Sequence, residues 1–341
     1  MISFCSDYQE GCHPLILERL AATNLEQTPG YGTDSYCAHA ADMIRKRFDC
    51  EKAAVHFMVG GTQTNTVIIA SALRPFEGVL CASTGHINTH ETGAIEAMGH
   101  KVIPLNARDG RITSAQLSVA MALQADDEHT VRPGMVYISI STELGTLYNR
   151  AQLHDLYQTC QQLGLYLFID GARLGYALTS PVNDLTCEDI AANCDAFTIG
   201  GTKVGALFGE AAVLVNPALQ PRFRYMMKRH GALLAKGRLL GIQFETLMED
   251  DRYFTIAKEA VEQAMRIRTT LKEKQIPLLV DSPTNQLFPI LTDEQLEALE
   301  EQFDFSIWER VDEQHTAIRL CTSWATRKEH VDQLIAAVKK L

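Results

Sequence analysis

Two short stretches of this chain end in the residue types that imine chemistry needs. Phe168-Ile169-Asp170-Gly171-Ala172-Arg173 delivers a carboxylate, and Thr198-Ile199-Gly200-Gly201-Thr202-Lys203 delivers an amine. In each, an apolar β-branched run stops abruptly at small and charged residues, as a buried parallel strand does where its carboxyl end opens into a site. A lysine to form an imine and a carboxylate to keep a ring nitrogen protonated are the minimum for holding pyridoxal 5'-phosphate, whose ring then acts as an electron sink. A solvated loop lysine is the plain alternative, but Lys203 lies between two apolar strands in a stretch poor in other charges. Asp170 ends a strand that is apolar on both faces, an expensive place for a charge unless a cation meets it. A pyridinium N–H would be that cation. Arg173 would either bond the cofactor's phenolic oxygen or serve as an internal partner of Asp170, and Thr202 would add a hydroxyl toward the phosphate.

Gly60-Gly61-Thr62-Gln63-Thr64-Asn65 falls between a strand pattern and a helix pattern. Its glycines permit close backbone approach, and the free N–H groups of a first helical turn, with the Thr62 hydroxyl, suit a phosphate monoester. A glycine turn with an ordinary helix cap would look the same. The stretch is neither a dinucleotide fingerprint nor a P-loop. His86, in Ser83-Thr84-Gly85-His86-Ile87-Asn88, follows a strand in a loop of small polar groups. An imidazole there would stack on an aromatic cofactor face and work as acid or base near neutral pH, or else be a solvated loop histidine. Glu91 is placed to hydrogen-bond a neighbour or to sit in an ordinary first helical turn.

The elements that position these residues read as an α/β domain with a mostly parallel sheet. Helix-length segments separate most of the strand patterns at Ala53–Val59, Val79–Ala82, Lys101–Leu105, Met135–Ile140, Leu165–Ile169 and Ala196–Ile199. Ala206–Val215 reads as a further strand bent at Gly209, and two long helices are expected from Pro217 to about Leu247 and from Asp251 to Lys274. The remainder reads as a smaller α+β lobe, with strands at Gln286–Leu291, Phe305–Trp308 and Ala317–Cys321 and helices at Thr292–Gln302 and Arg327–Lys340. The division expected is an amino-terminal arm (1–30), a large domain (31–247) and a small carboxyl-terminal domain (248–341).

Composition bounds the partners. A net charge of −11 without a basic patch argues against nucleic acid and anionic membrane surfaces. No stretch has transmembrane length, and the amino terminus lacks the charged and apolar regions of a secretory signal, so a cytoplasmic protein is expected. Nine cysteines, scattered without a CxxC pair, read as reduced thiols rather than a disulfide framework or zinc site, and no metal is expected.

Taken together, Ser6-Asp7, Tyr31-Gly32, Gly61-Thr62-Gln63, His86-Ile87-Asn88-Thr89-His90-Glu91-Thr92-Gly93, Asp170-Gly171-Ala172-Arg173-Leu174, Gly201-Thr202-Lys203 and Arg319-Leu320-Cys321-Thr322-Ser323-Trp324 resemble, in order, the motifs of the low-specificity L-threonine aldolases, the β-eliminating lyase group. The resemblance runs from Phe4 to Leu341. It implies a fold-type I pyridoxal-phosphate enzyme in which Lys203 carries the cofactor as an imine, Asp170 pairs with the ring nitrogen, Arg173 sits near the phenolate and His86 stacks on the ring. Gly61, Thr62, Gln63 and Thr202 would serve the cofactor's phosphate end, while Ser6 and Arg319 would hold a substrate carboxylate. Tyr31 would reach the site from a neighbouring subunit of a homotetramer built as a dimer of dimers.

The chain departs from that pattern in places. Gly231-Ala232-Leu233-Leu234-Ala235-Lys236-Gly237 puts Leu234 where much of the family has a phosphate-contacting arginine, with Lys236 and Arg238 as alternative charges. Ser141-Thr142-Glu143-Leu144-Gly145-Thr146 places a carboxylate, Glu143, near the site, and His90 stands where an aromatic is common. The reaction expected is retro-aldol cleavage of a small β-hydroxy-α-amino acid, threonine or allo-threonine, to glycine and an aldehyde, with His86 or a water it orients removing the hydroxyl proton. Another pyridoxal-phosphate reaction, β-elimination or transamination, is the nearer alternative, and a cofactor-free binding protein on the same fold is the distant one.

Overall fold

The computed structural model describes residues 1–124 and 127–341. The chain opens with β1 (Ile2–Ser3), continues through β2 (Ala54–Met58), β3 (Glu77–Ala82), β4 (Val102–Leu105), β5 (Arg132–Ser139), β6 (Tyr166–Asp170), β7 (Ala196–Gly200) and β8 (Glu210–Leu214), and then leaves the central sheet. That sheet has the order β2-β8-β7-β6-β5-β3-β4, and only β8 runs against its neighbours. Helices cover both faces, so β7 and β8 are buried throughout and read as unbroken apolar runs rather than alternating ones.

Register decides what meets at the sheet's carboxyl edge. Ser139 pairs with Asp170 between β5 and β6, and Gly200 pairs with Glu210 between β7 and β8. Because β8 is antiparallel, its first residue lies where its parallel neighbours end, and Glu210 arrives beside Met58 and Gly200. The expected strand over Ala206–Val215 is therefore shorter: residues 206–209 turn instead, with the Leu207 and Phe208 N–H groups donating to Gln243 Oε1. Gly209 has φ +119, and a Cβ there would meet Leu240 Cδ2 at 2.5 Å, so the corner requires glycine. The long helix expected after Pro217 is likewise divided into Phe223–Arg229 and Arg238–Met248. The break follows Gly231, whose left-handed φ of +67 ends the first piece.

The second lobe contains β9 (Gln286–Leu287), β10 (Ile290–Thr292), β11 (Phe303–Asp304), β12 (Ser306–Arg310) and β13 (His315–Cys321), flanked by helices Asp293–Glu300 and Lys328–Val338. In it β13 is central, with β10 and β12 antiparallel on its two sides. Residues at the amino terminus belong to its packing: β1 pairs in parallel with β11, and Phe4 is buried with Phe303, Ile318 and Leu320. The helix Arg252–Glu273 joins the lobes, packing on helix Leu174–Leu178 at one end and on Lys328–Val338 at the other. No helix among the described residues is long and apolar enough to cross a membrane.

Candidate active site

The carboxyl edge of the central sheet opens into a cavity of about 340 Å³ lined by Gly60, Gly61, Thr62, Asn65, His86, Asp170, Arg173, Thr202, Lys203 and Glu210, among others. A second cavity of about 330 Å³ reaches into the other lobe, to His90, Trp308 and Arg319. Tyr8, His86, Glu143, Arg173 and Lys203 line both, so the two are halves of one cleft.

Asp170 sits where β6 ends, and the next turn is exceptionally close to the sheet. A Cβ on Gly171 would stand 1.9 Å from the Thr198 carbonyl oxygen, and the Gly171 N–H donates to Thr198 Oγ1 at 2.8 Å. The Asp170 carboxylate accepts from Tyr137 Oη at 2.5 Å, Asn65 Nδ2 at 3.0 Å and the Ala172 N–H at 2.9 Å. Burial opposes its ionisation, but the Tyr137 bond, the nearby His86 imidazole and the Asn65 bond outweigh it and hold the carboxyl below the usual range. Hydrogen-bond donors and the nearby His86 together thus keep Asp170 charged. The alternative in which Arg173 is its internal partner does not hold.

Arg173 instead grips Asp7, Nε donating at 2.7 Å and Nη2 at 2.9 Å, with Asn285 Nδ2 donating to the same carboxylate. Burial works against the Asp7 charge, and the Arg173 and Lys203 charges with these bonds still hold its pKa down. Breaking such a buried pair from one side costs about 3–5 kcal/mol. Asp7→Asn is accordingly expected to lower the melting temperature at neutral pH. Because the folded-state pKa is depressed, the pair's contribution is present above the unfolded pKa and lost as pH falls through the folded one. Melting curves of the two proteins should converge on acidification; a difference that persists there would remove the pair as its cause.

Lys203 lies in the tight turn after β7, with its carbonyl accepting from Tyr176 Oη. Burial and the Arg173 charge lower its pKa, while Asp7, Asp170 and Glu210 pull it back only in part, so the amine is easier to deprotonate and more nucleophilic. Burial in turn raises Glu210. Thr202 Oγ1 accepts from the Gly209 N–H at 3.0 Å.

The helix Gly61–Ala72 points its amino terminus at the cavity. Its cap, Gly60, supplies no side-chain bond, and a Cβ on Gly60 or Gly61 would have nothing within 4 Å. Unfilled N–H donors beside an open cradle suit a phosphate. Together with a charged Asp170 and a depressed Lys203, they fit pyridoxal phosphate. Gln63 is not part of the cradle: helical spacing turns it away, and its Nε2 faces the His230 carbonyl at 3.4 Å. Asn65, one turn after Gly61, faces the cavity instead.

His86 opens a single helical turn and donates its backbone N–H to Glu143 Oε1 at 2.9 Å. Its Nδ1 lies 2.8 Å from the fully buried Glu91, and its ring stacks on His90 at 5.5 Å between centroids. In the adjoining half, Arg319 Nη2 donates to the Cys5 carbonyl at 3.2 Å and to Ser306 Oγ at 3.4 Å. Its Nε is buried without an acceptor among the described residues. Ser6 lines neither half; its neighbours take that place, Asp7 on Arg173 and Tyr8 in the wall.

Tyr31 lines neither half of the cleft. It is 45% exposed, with Lys228 Nζ 4.7 Å above its ring and Arg224 donating to its carbonyl, and it borders a separate cavity of about 240 Å³ that Leu234 also lines. Of the two basic residues near Leu234, Arg238 is held by the Thr23 and Asn24 carbonyls, while Lys236 is exposed. Among the described residues no group of His, Cys, Asp and Glu is placed to hold a metal ion.

Comparison with known proteins agrees with this architecture. A Thermus thermophilus aspartate aminotransferase superposes with a TM-score of 0.73 at 12% identity, covering 100% of this chain and 91% of that one, a likeness of fold alone that makes this a fold-type I architecture. A threonine aldolase of Leishmania major superposes with a TM-score of 0.98 at 46% identity, covering 100% of this chain and 99% of that one. A low-specificity L-threonine aldolase of Pseudomonas sp. is 30% identical over 98% of this chain and 96% of its own length. The sequence model of the β-eliminating lyases matches residues 4–294. With that match and a relative similar from end to end, the chain belongs to the β-eliminating lyase family.

Proposed function

We propose that this protein is a pyridoxal-phosphate-dependent carbon–carbon lyase that cleaves threonine or allo-threonine to glycine and acetaldehyde. The reading is carried by the joining of the two half-cavities: the Lys203 amine and an incompletely bonded Arg319 guanidinium open onto one cleft. Threonine aldolases among the similar proteins support it.

Lys203 would hold the cofactor covalently, Asp170 its ring nitrogen, the Gly61–Thr62 turn its phosphate, and Arg173 would lie along its phenolate edge. Bound there, pyridoxal phosphate supplies an electron sink for the pair left on Cα when the Cα–Cβ bond breaks. Arg319 holds the substrate carboxylate, and anchoring that group fixes which bond at Cα is aligned for cleavage. His86, braced by Glu91, forms a wall of the cofactor half. Cleavage also needs a base for the β-hydroxyl proton, and His86 and Glu143 are groups common to both halves with the chemistry to take one.

A homotetramer arranged as a dimer of dimers is proposed from the family resemblance, and the exposure of Tyr31 leaves it free to reach a neighbour's site. Nine free thiols fit the reducing cytoplasm. Arg319→Lys replaces a planar fork by a point charge, and kcat/KM for threonine is expected to fall about 10–100-fold, the worth of a charge-assisted hydrogen bond, with the cofactor spectrum unchanged. Unchanged kcat/KM would put the carboxylate elsewhere.

A further inference from the structure

The scheme above leaves open which group takes the β-hydroxyl proton, and Glu143 is the buried acid that borders both halves of the cleft. It lies just beyond β5, and its Oε1 accepts from the His86 N–H at 2.9 Å and from Ser139 Oγ at 2.7 Å. Both bonds fall on one oxygen. No hydrogen bond from the described residues reaches Oε2, and that atom is not among the enclosed, partnerless ones, so it faces the cleft. Glu143 lines the cofactor half and the Arg319 half alike, so it borders the passage that a substrate anchored at both ends would span.

Each of the two imidazoles has one ring nitrogen engaged. His86 holds Nδ1 on Glu91 and lays its ring against His90, so it presents a ring face to the cofactor half. His90 has its Nδ1 2.6 Å from Thr89 Oγ1. Burial, together with the charges of His86, Arg319, Lys203 and Arg173, lowers its pKa, which makes it a weaker proton acceptor. Glu143 shifts the opposite way: burial, reinforced by the Asp170 charge, raises it despite the bonds to Ser139 and His86, toward the range in which a carboxylate is an effective base at neutral pH.

We propose that Glu143 is a catalytic residue, the acceptor of the β-hydroxyl proton through Oε2. This rests on the aldolase reading of the cleft. The hydroxyl proton passes to Oε2, the O–H electron pair becomes the second C–O bond of the aldehyde, and the Cα–Cβ bond breaks with its pair left on Cα. Cα then takes up one proton to give glycine while Glu143 loses the one it gained, so no proton is gained or lost overall. The Oε1 bonds keep the carboxyl from rotating, and they also tie the acid to the loop that carries His86.

Glu143→Gln tests this, because the amide oxygen still accepts from the His86 N–H but cannot take a proton. Two reactions of the cofactor-loaded enzyme are compared: acetaldehyde release from threonine, and exchange of the glycine Cα hydrogen in D2O, which involves no hydroxyl. Threonine cleavage is expected to fall by about 10²–10⁴-fold, the usual worth of a general base. Glycine exchange should stay within a few-fold of wild type, and the cofactor absorbance and melting temperature should be unchanged. Cleavage that stays near the wild-type rate, or loss of both reactions together, overturns the proposal; in the second case Glu143 serves only the architecture of the site. If Glu143→Gln does not fold, Glu143→Asp, which sets the carboxyl back from the hydroxyl, is read in the same way. A wild type that exchanges glycine but releases no acetaldehyde overturns the aldolase reading and this assignment with it.

Discussion

Lys203→Ala is expected to abolish the borohydride-sensitive visible absorption of the cofactor-loaded protein and to lower threonine cleavage by on the order of 10⁴-fold or more, as loss of a covalent catalyst does. The fold should survive. Lys203 is enclosed among Arg173, Asp170 and Glu210, so its removal relieves a desolvated charge rather than opening an apolar core, and Glu210, already raised by burial, can take up a proton in response. Absorbance before and after reduction, a threonine-cleavage assay and a melting curve check the three statements in turn. A variant that still forms a reducible cofactor adduct would place the imine on another lysine.

Asp170→Asn should damage turnover less than loss of Lys203 but still heavily, with the fold left in place. The amide oxygen can retain the Ala172 N–H bond while its NH2 takes the place of the oxygen that faces Tyr137 and Asn65, and the side chain cannot carry the negative charge that these donors preserve in the wild type. Removing one preorganised electrostatic group from a buried site costs about 10²–10³-fold in kcat. Weaker cofactor retention on dialysis should accompany that loss. Activity near the wild-type level would make Asp170 a structural residue only.

Much of the site was legible in the sequence because parallel strands buried on both faces announce themselves as apolar runs, and their ends mark the sheet edge. Asp170, Lys203 and the Gly61–Thr62 turn could be located from that pattern alone. Asn65 and Tyr137 carried a weaker but readable signal. Asn65 repeats at helical spacing from Gly61, and Tyr137 alternates with Ser139 along β5, facing Asp170 on the neighbouring strand. Gln63, two residues after Gly61, falls off that helical face and turns toward the His230 carbonyl.

Other features depend on contacts that no local pattern encodes. Glu210 reaches the site only because β8 runs antiparallel, a choice of direction invisible in the apolar run of Ala206–Val215. Asp7 and Tyr8 are delivered by an amino-terminal segment that pairs with β11 near the other end of the chain. The break after Gly231 was hidden because Phe223–Arg229 and Arg238–Met248 each look helical when read alone.

The aldolase account is tested most directly by product analysis. Purified, cofactor-loaded protein is incubated with threonine and with allo-threonine, and glycine, acetaldehyde, 2-oxobutyrate and ammonia are measured together. The account predicts glycine and acetaldehyde in equal amounts from at least one of the two substrates. Release of 2-oxobutyrate and ammonia without acetaldehyde would contradict it, placing β-elimination rather than carbon–carbon cleavage in this cleft.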